Sequence, residues 1–232
     1  MAVAYDASSK SAGFSTSTPI NFTHTPVGTP AGVAVLVACD STGTDSVTGA
    51  TYGGSSLTAV SGGFAQDTAG EPGFCKLYFL GSSIPTGAQT VSVSTTGSPN
   101  IVCVCITVTA STTTEVYTAG IVLLQGDGTL AEQSVDDGSP GTNSVRFAGM
   151  FTGLSTPPSA GASSTVIQSE DDGVLGASFV RETTAGQGSR SVGWSSGTTD
   201  DRAAVHFAIR ETASSAVLNL MVSGGIVRAY HV

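Results

Sequence analysis

The sequence predicts an all-β chain, folded as an antiparallel β-sandwich or barrel. Apolar residues recur with period two in short runs, which is the signal of half-buried strands. The runs are separated by Gly, Pro, Asp and Ser at a spacing of roughly ten residues, which suits a sandwich or barrel. No run is succeeded by a stretch periodic enough to form a crossover helix, so a parallel α/β arrangement is disfavoured.

The expected strands, in chain order, begin with 33–39 (VAVLVAC), 55–60 (SSLTAV), 74–80 (FCKLYFL), 89–95 (QTVSVST) and 101–110 (IVCVCITVTA). After them come 119–125 (AGIVLLQ), 144–151 (SVRFAGMF), 164–169 (STVIQS), 175–182 (LGASFVRE), 191–194 (SVGW) and 203–211 (AAVHFAIRE). In QTVSVST, Val91 and Val93 share one face while Thr90, Ser92 and Ser94 share the other. IVCVCITV is apolar on both faces, with Ile101, Cys103 and Cys105 opposite Val102, Val104 and Ile106. Such a strand belongs in the middle of a sheet with both faces covered, by a second layer of the chain or by a neighbouring subunit. The segment 202–213 also reads weakly as a helix, but the alternation of Val205, Phe207 and Ile209 with His206, Ala208 and Arg210 reads better as a strand.

The expected organisation is one β-sandwich domain over 31–211, flanked by two extended ends. Residues 1–30 are an N-terminal arm or a first strand, rich in Ser, Thr and Pro with few apolar anchors (Phe14, Ile20, Phe22). Residues 212–232 form a C-terminal arm that opens with a linker-like stretch and ends in the apolar run VLNLMVSGGIVRAYHV. A free apolar tail invites aggregation, so this arm is expected to dock on its own domain or on another subunit. Pro157-Pro158 marks a long loop and not a second domain boundary.

Composition narrows the function classes. Charged residues make up only 11% of the 232, with 8 basic against 17 acidic and a net charge of −9. So few cations cannot neutralise many phosphates, so no nucleic acid is expected as a partner. Anionic membrane surfaces are disfavoured likewise, and no apolar run reaches the ~18 residues of a spanning helix. The N-terminus lacks the basic and apolar regions of a secretory signal, so cytoplasmic folding is expected, and the Asn21-Phe22-Thr23 sequon is expected to be silent. Cys39, Cys75, Cys103 and Cys105 each lie within an apolar strand. Cys103 and Cys105, on one face of one strand, sit roughly 7 Å apart, a poor disulfide geometry. All four read as buried free thiols, and His24, His206 and His231 show no metal-ligand spacing.

No motif yields catalytic, cofactor-binding or metal residues, and no cofactor is expected. Gly193-Trp194-Ser195-Ser196-Gly197 matches a nucleophile elbow, but TTDD and another strand come next where a helix is required. Gly126-Asp127-Gly128-Thr129-Leu130-Ala131 fits a relaxed dinucleotide fingerprint. The segment TLAEQSVDDG is too short for the helix that would meet a pyrophosphate, so the match reads as a hairpin turn at Gln125–Thr129. The acidic pairs and triplet Asp136-Asp137, Glu170-Asp171-Asp172 and Asp200-Asp201 lie in expected turns. Gathered at one end of a sandwich they could offer oxygen ligands to Ca²⁺, although none has the alternating pattern of a calcium loop and Asp-Gly is ordinary turn chemistry.

One arrangement is more specific. Ala50–Val60 (ATYGGSSLTAV) is succeeded by Leu77–Leu80 (LYFL) and Ile84–Val93 (IPTGAQTVSV). This resembles jelly-roll-like β-sandwich domains of phage and bacterial surface proteins, over about residues 30–211. The resemblance implies a jelly-roll-like antiparallel sandwich and a structural role in a tailed-phage virion. The expected protein is a decoration or cement protein that forms a homo-oligomer such as a trimer. It would be made in the host cytoplasm, bind the major capsid protein at the outer capsid surface and not act as an enzyme. The alternative is a phage tail or fibre component, or a surface carbohydrate-binding module, in which Trp194 and Tyr52 are the candidate sugar-stacking rings.

Overall fold

The computed structural model describes residues 2–40, 44–138, 143–195 and 199–212, and the backbone of 220–223 and 226–229. The protein is an antiparallel β-sandwich, all-β apart from a single 3-10 turn at Thr118–Gly120 among the described residues. No helix there is long and apolar enough to cross a membrane.

Eight strands make the first sheet: β1 (Ala4–Lys10), β2 (Ile20–His24), β3 (Gly32–Asp40), β4 (Val47–Tyr52), β5 (Ser55–Asp67), β6 (Gly73–Leu80), β7 (Gln89–Thr95) and β8 (Asn100–Thr109). Their order is β1-β8-β3-β6-β5-β4-β7-β2. First pairs with last, second with seventh, third with sixth and fourth with fifth, so the sheet is one long hairpin wound on itself. The innermost pair closes through Gly53-Gly54, both at positive φ (56° and 81°), as a two-residue hairpin turn demands. The sheet folds over at β5. Its first residues pair with β4, and Val60–Gly63 swing out of the β6 ladder between the pairs Ala59↔Tyr78 and Phe64↔Lys76.

The second layer is built from β9 (Thr114–Val116), β10 (Val122–Gln125), β11 (Gly128–Thr129), β12 (Gln133–Val135), β13 (Val145–Thr152), β14 (Ser164–Asp171), β15 (Gly176–Glu182), β16 (Arg190–Val192), β17 (Thr199–Asp200) and β18 (Arg202–Glu211). Its sheet runs β10-β18-β13-β15-β14, with β9 also on β18. Two short ladders complete the layer, β11 with β17 and β12 with β16.

Alternation along the strands places three cores. Val33, Val35 and Val37 of β3 and Ile101, Cys103 and Cys105 of β8 face into the curl of the first sheet, against Tyr52, Phe74, Val91 and Val93. Ala34, Leu36, Val102, Val104 and Ile106 face the other way, against Phe147, Phe151, Phe179, Val205 and Phe207 of the second sheet. The two-faced apolar runs are thus covered by a second layer of the same chain. Each such buried side chain contributes roughly 1.5–3 kcal/mol relative to exposure. The layers approach closely at Gly149, where a Cβ would lie 2.9 Å from both Leu36 and Phe179. A third core covers the outer face of the second sheet, where Trp194, Leu130, Val135 and Val192 lie over Ala148, Met150, Val180, Ala204 and Ala208.

Most expected strands lie where the sequence places them; the differences are informative. The 1–30 segment supplies both β1 and β2, so the sheet starts at Ala4 and not near residue 31. In 119–125 the strand begins only at Val122, after the 3-10 turn. The Gln125–Thr129 hairpin does not form: β10 and β11 do not pair with each other but run on along β18 and β17, from Gln125↔Ala203 to Gly128↔Asp200. Gly126 (φ 70°) is a break in that ladder. Pro157-Pro158 lie in the loop from β13 to β14, inside one sheet. Of the C-terminal arm, β19 (Leu220–Ser223) and β20 (Ile226–Ala229) pair as a hairpin, while the docking expected for it lies outside the described residues.

Candidate functional site

The break between β10 and β11 builds the most distinctive chemical feature. Opposite Gly126-Asp127 lies the junction of β17 and β18 at Asp201-Arg202, and the end of β5 brings in Asp67. Carboxylate oxygens of Asp67, Asp127 and Asp201 lie within 4.8 Å of one another, and so do those of Glu71, Asp200 and Asp201. Asp67 and Asp201 are buried and fixed by backbone donors. Asp67 accepts from the N–H groups of Ala69 (3.0 Å) and Arg202 (3.2 Å), and Asp201 accepts from Glu71 N–H at 2.6 Å. Asp127 and Glu71 are exposed. The Asp127 carboxyl is raised above the usual range, first by its hydrogen bond to Asp201 and then by that neighbour's charge. Glu71 is raised by partial desolvation, with Asp200, Asp201 and Asp40 adding to it. Hard oxygen donors of this kind suit Ca²⁺ in chemistry, but that ion takes six to eight oxygens, and with one oxygen from each residue either trio supplies three. What the arrangement holds in itself is a concentration of negative charge.

Only one of the three acidic segments seen in sequence enters this cluster. Asp137 is instead buried against Arg146, with Nη2 to Oδ2 at 3.1 Å, and accepts from Ser144 Oγ at 2.6 Å. Arg146, fully buried on β13, also meets Glu182 Oε1 at 3.2 Å and donates to the carbonyls of Val135 and Gly186. Burial raises Glu182, against the opposing pull of Arg146 and Arg190. Glu170 pairs with Lys10, and Asp172 caps the turn at Val174 and Leu175. Asp67, Glu71 and Asp127 were not legible as site residues, because Asp67 and Glu71 lie far in the chain from Asp127 and from Asp200-Asp201 and meet them only in the fold.

The other candidates are placed apart. His24 lies in the seam of the first sheet, and His206 on the outer face of the second, with its ring 5.4 Å from that of Trp194. His231 lies outside the described residues. Ser195 is exposed, and its Oγ donates to the Ser159 carbonyl at 3.3 Å; Ser196 and Gly197 lie outside the described residues. Trp194 and Tyr52 are 1% and 0% exposed, so neither offers a ring face to a sugar. Trp194 Nε1 instead donates to Ser178 Oγ at 2.8 Å. Asn21 of the sequon is exposed on β2. All four cysteines are buried and none is in a disulfide, and burial pushes Cys75 up to about 12 and Cys103 and Cys105 further up. Thiols so far from ionising are poor metal ligands and nucleophiles.

The fold therefore defines an antiparallel β-sandwich protein with a doubly covered central sheet. Comparison of the chain with known protein families, with curated proteins and with solved structures finds no match.

Proposed function

We propose that the protein is a structural component of a tailed-phage virion, a decoration or cement protein that binds the outer capsid surface and stabilises adjacent subunits of the major capsid protein. The observation that carries the reading is the nested strand order. Pairing of β1 with β8, β2 with β7, β3 with β6 and β4 with β5 resembles the nested winding of a jelly roll, the architecture of many viral capsid domains, and supports the reading. The TYGG hairpin that carries the sequence resemblance is its innermost turn. The reading is of a jelly roll widened by a second sheet, working through its surfaces as a homo-oligomer, and without catalysis.

The test mixes purified protein with capsids assembled from the major capsid protein alone and sediments them. Saturable binding at a fixed ratio to capsid subunits, with capsids that resist heat better, is the expected outcome. Protein that stays in the supernatant while retaining its fold overturns the reading. Binding to a glycan array under the same conditions would move the assignment to the tail or surface-module class.

A further inference from the structure

A groove of about 570 Å³ opens between the two sheets, lined by β5, β6 and β9. Its apolar lining is Ala59, Val60, Phe79 and Val116, the last three only partly buried against the core beneath. Both walls carry backbone without a strand partner. Val60–Gly63 lie in the break of the β5–β6 ladder, and the β4 pairing has already ended at Leu57. On the other wall, β9 pairs with β18 along one edge, and on the other edge no strand lies along it among the described residues, with Thr114 N–H donating to the Gly81 carbonyl at 3.3 Å. Open edges beside an apolar floor invite an added strand.

The chain itself brings a candidate to this place. Thr212 lines the groove and is held there, its N–H donating to the Thr113 carbonyl at 2.9 Å. Seven residues, 213–219, connect it to the β19–β20 hairpin. A connection of that length spans at most about 25 Å, so the hairpin starts within reach of the groove. A tether that short also holds it at an effective concentration in the millimolar range. Its sequence, LMVS and IVRA within an apolar run, is what a groove floored by valine and phenylalanine would take from water.

We propose that this groove is the seat of the chain's own C-terminal hairpin, Leu220–Ala229, whose apolar sequence covers Val60, Phe79 and Val116. The seat completes the sandwich along its open edge and does not depend on the virion reading.

Hydrogen exchange on the full-length protein tests it. In the wild type, the amides of 220–229 are expected to be protected equally at high and low protein concentration. In Val60→Asp, which sets a charge on the groove floor, they should exchange about tenfold faster while β3 and β8 amides keep their protection. Ser61→Glu, on the exposed rim, replaces that variant if β3 and β8 lose protection in it. An unprotected hairpin in the wild type, or protection unchanged in the variant, overturns the seat. Protection that fades on dilution assigns the hairpin to a second copy and overturns the own-chain assignment.

Discussion

His24 and Ser9 meet across the seam of the first sheet, Nδ1 to Oγ at 3.1 Å. The other ring nitrogen, Nε2, lies 3.1 Å from Thr107 Oγ1, which donates to Asp6 Oδ2 at 2.9 Å. Asp6 in turn accepts from the N–H groups of Val27 and Gly28. One buried ring thus joins β2, at one end of the eight-stranded order, to β1 at the other end and to its neighbour β8. His24→Ala leaves a cavity and two hydroxyls without their partner, and should cost about 2–4 kcal/mol in urea unfolding. A cost within the error of the wild-type value would mean that the seam is held by backbone alone.

Acid should loosen the protein through its buried histidines. Burial pushes His206 down to about 4, and His24 is lowered by the same cause despite the opposing charge of Asp6. Both folded values lie below the unfolded one, so this contribution is fully present above about pH 6.5 and lost as pH falls toward 4. For His206 the loss is roughly 3 kcal/mol across that window. The raised carboxyls of Asp40, Glu71, Asp127 and Glu182 act in the opposite sense, since the folded state takes up their protons first. Urea unfolding of His206→Gln at pH 7.5 and 5 should show a smaller drop than the wild type. An equal drop would assign the slope to other groups.

The acidic cluster should be a point of repulsion in metal-free solution. Asp127→Asn removes the most exposed charge facing Asp201 and Asp67, so the melting temperature should rise at pH 7 and in low salt. The gain should shrink in high salt, and shrink in acid as the Asp127 carboxyl, raised above its ordinary value, takes up its proton. A fall in melting temperature at pH 7 would show that the Asp127–Asp201 hydrogen bond outweighs the repulsion.

Arg146 is held by two buried carboxylates and by loop carbonyls, and it pins the 135–137 and 186–188 segments to β13. Arg146→Ala takes the cation from buried Asp137 and leaves Glu182 with Arg190 alone, and should cost about 3–5 kcal/mol by denaturant titration. Arg146→Met combined with Asp137→Asn and Glu182→Gln should recover most of it. Failure to recover would point to the carbonyl hydrogen bonds as the dominant contribution.

The central strands were legible because their pattern is unusual. Only a strand covered on both sides reads VAVLVAC or IVCVCITV, and β3 and β8 are those strands. β1 was not, because AYDASSK is an edge strand whose side chains are mostly half-buried, and such a position imposes no strict alternation. β2 buries only Ile20 and His24 completely, and a histidine does not register as an apolar position. The buried Trp194 and Tyr52 show the limit for sites. A ring in a Gly/Ser-rich turn reads the same in sequence whether it faces a ligand or, as Trp194 does, lies over Ala204 and Ala208.

The nested strand pairing also sets an order for folding. The innermost contact, Tyr52↔Ser55, spans three residues of chain, while the outermost, Ala4↔Thr109, spans about one hundred. Closing that outer loop directly is slow, but each pair formed from the Gly53-Gly54 turn outward shortens the next closure to a few connecting residues. The first sheet can therefore zip from its centre, with the His24 seam closing last. Gly53→Val, which strains the left-handed turn, should slow refolding more than it speeds unfolding, whereas His24→Ala should mainly speed unfolding. Stopped-flow refolding and unfolding of the two variants would separate the first event from the last.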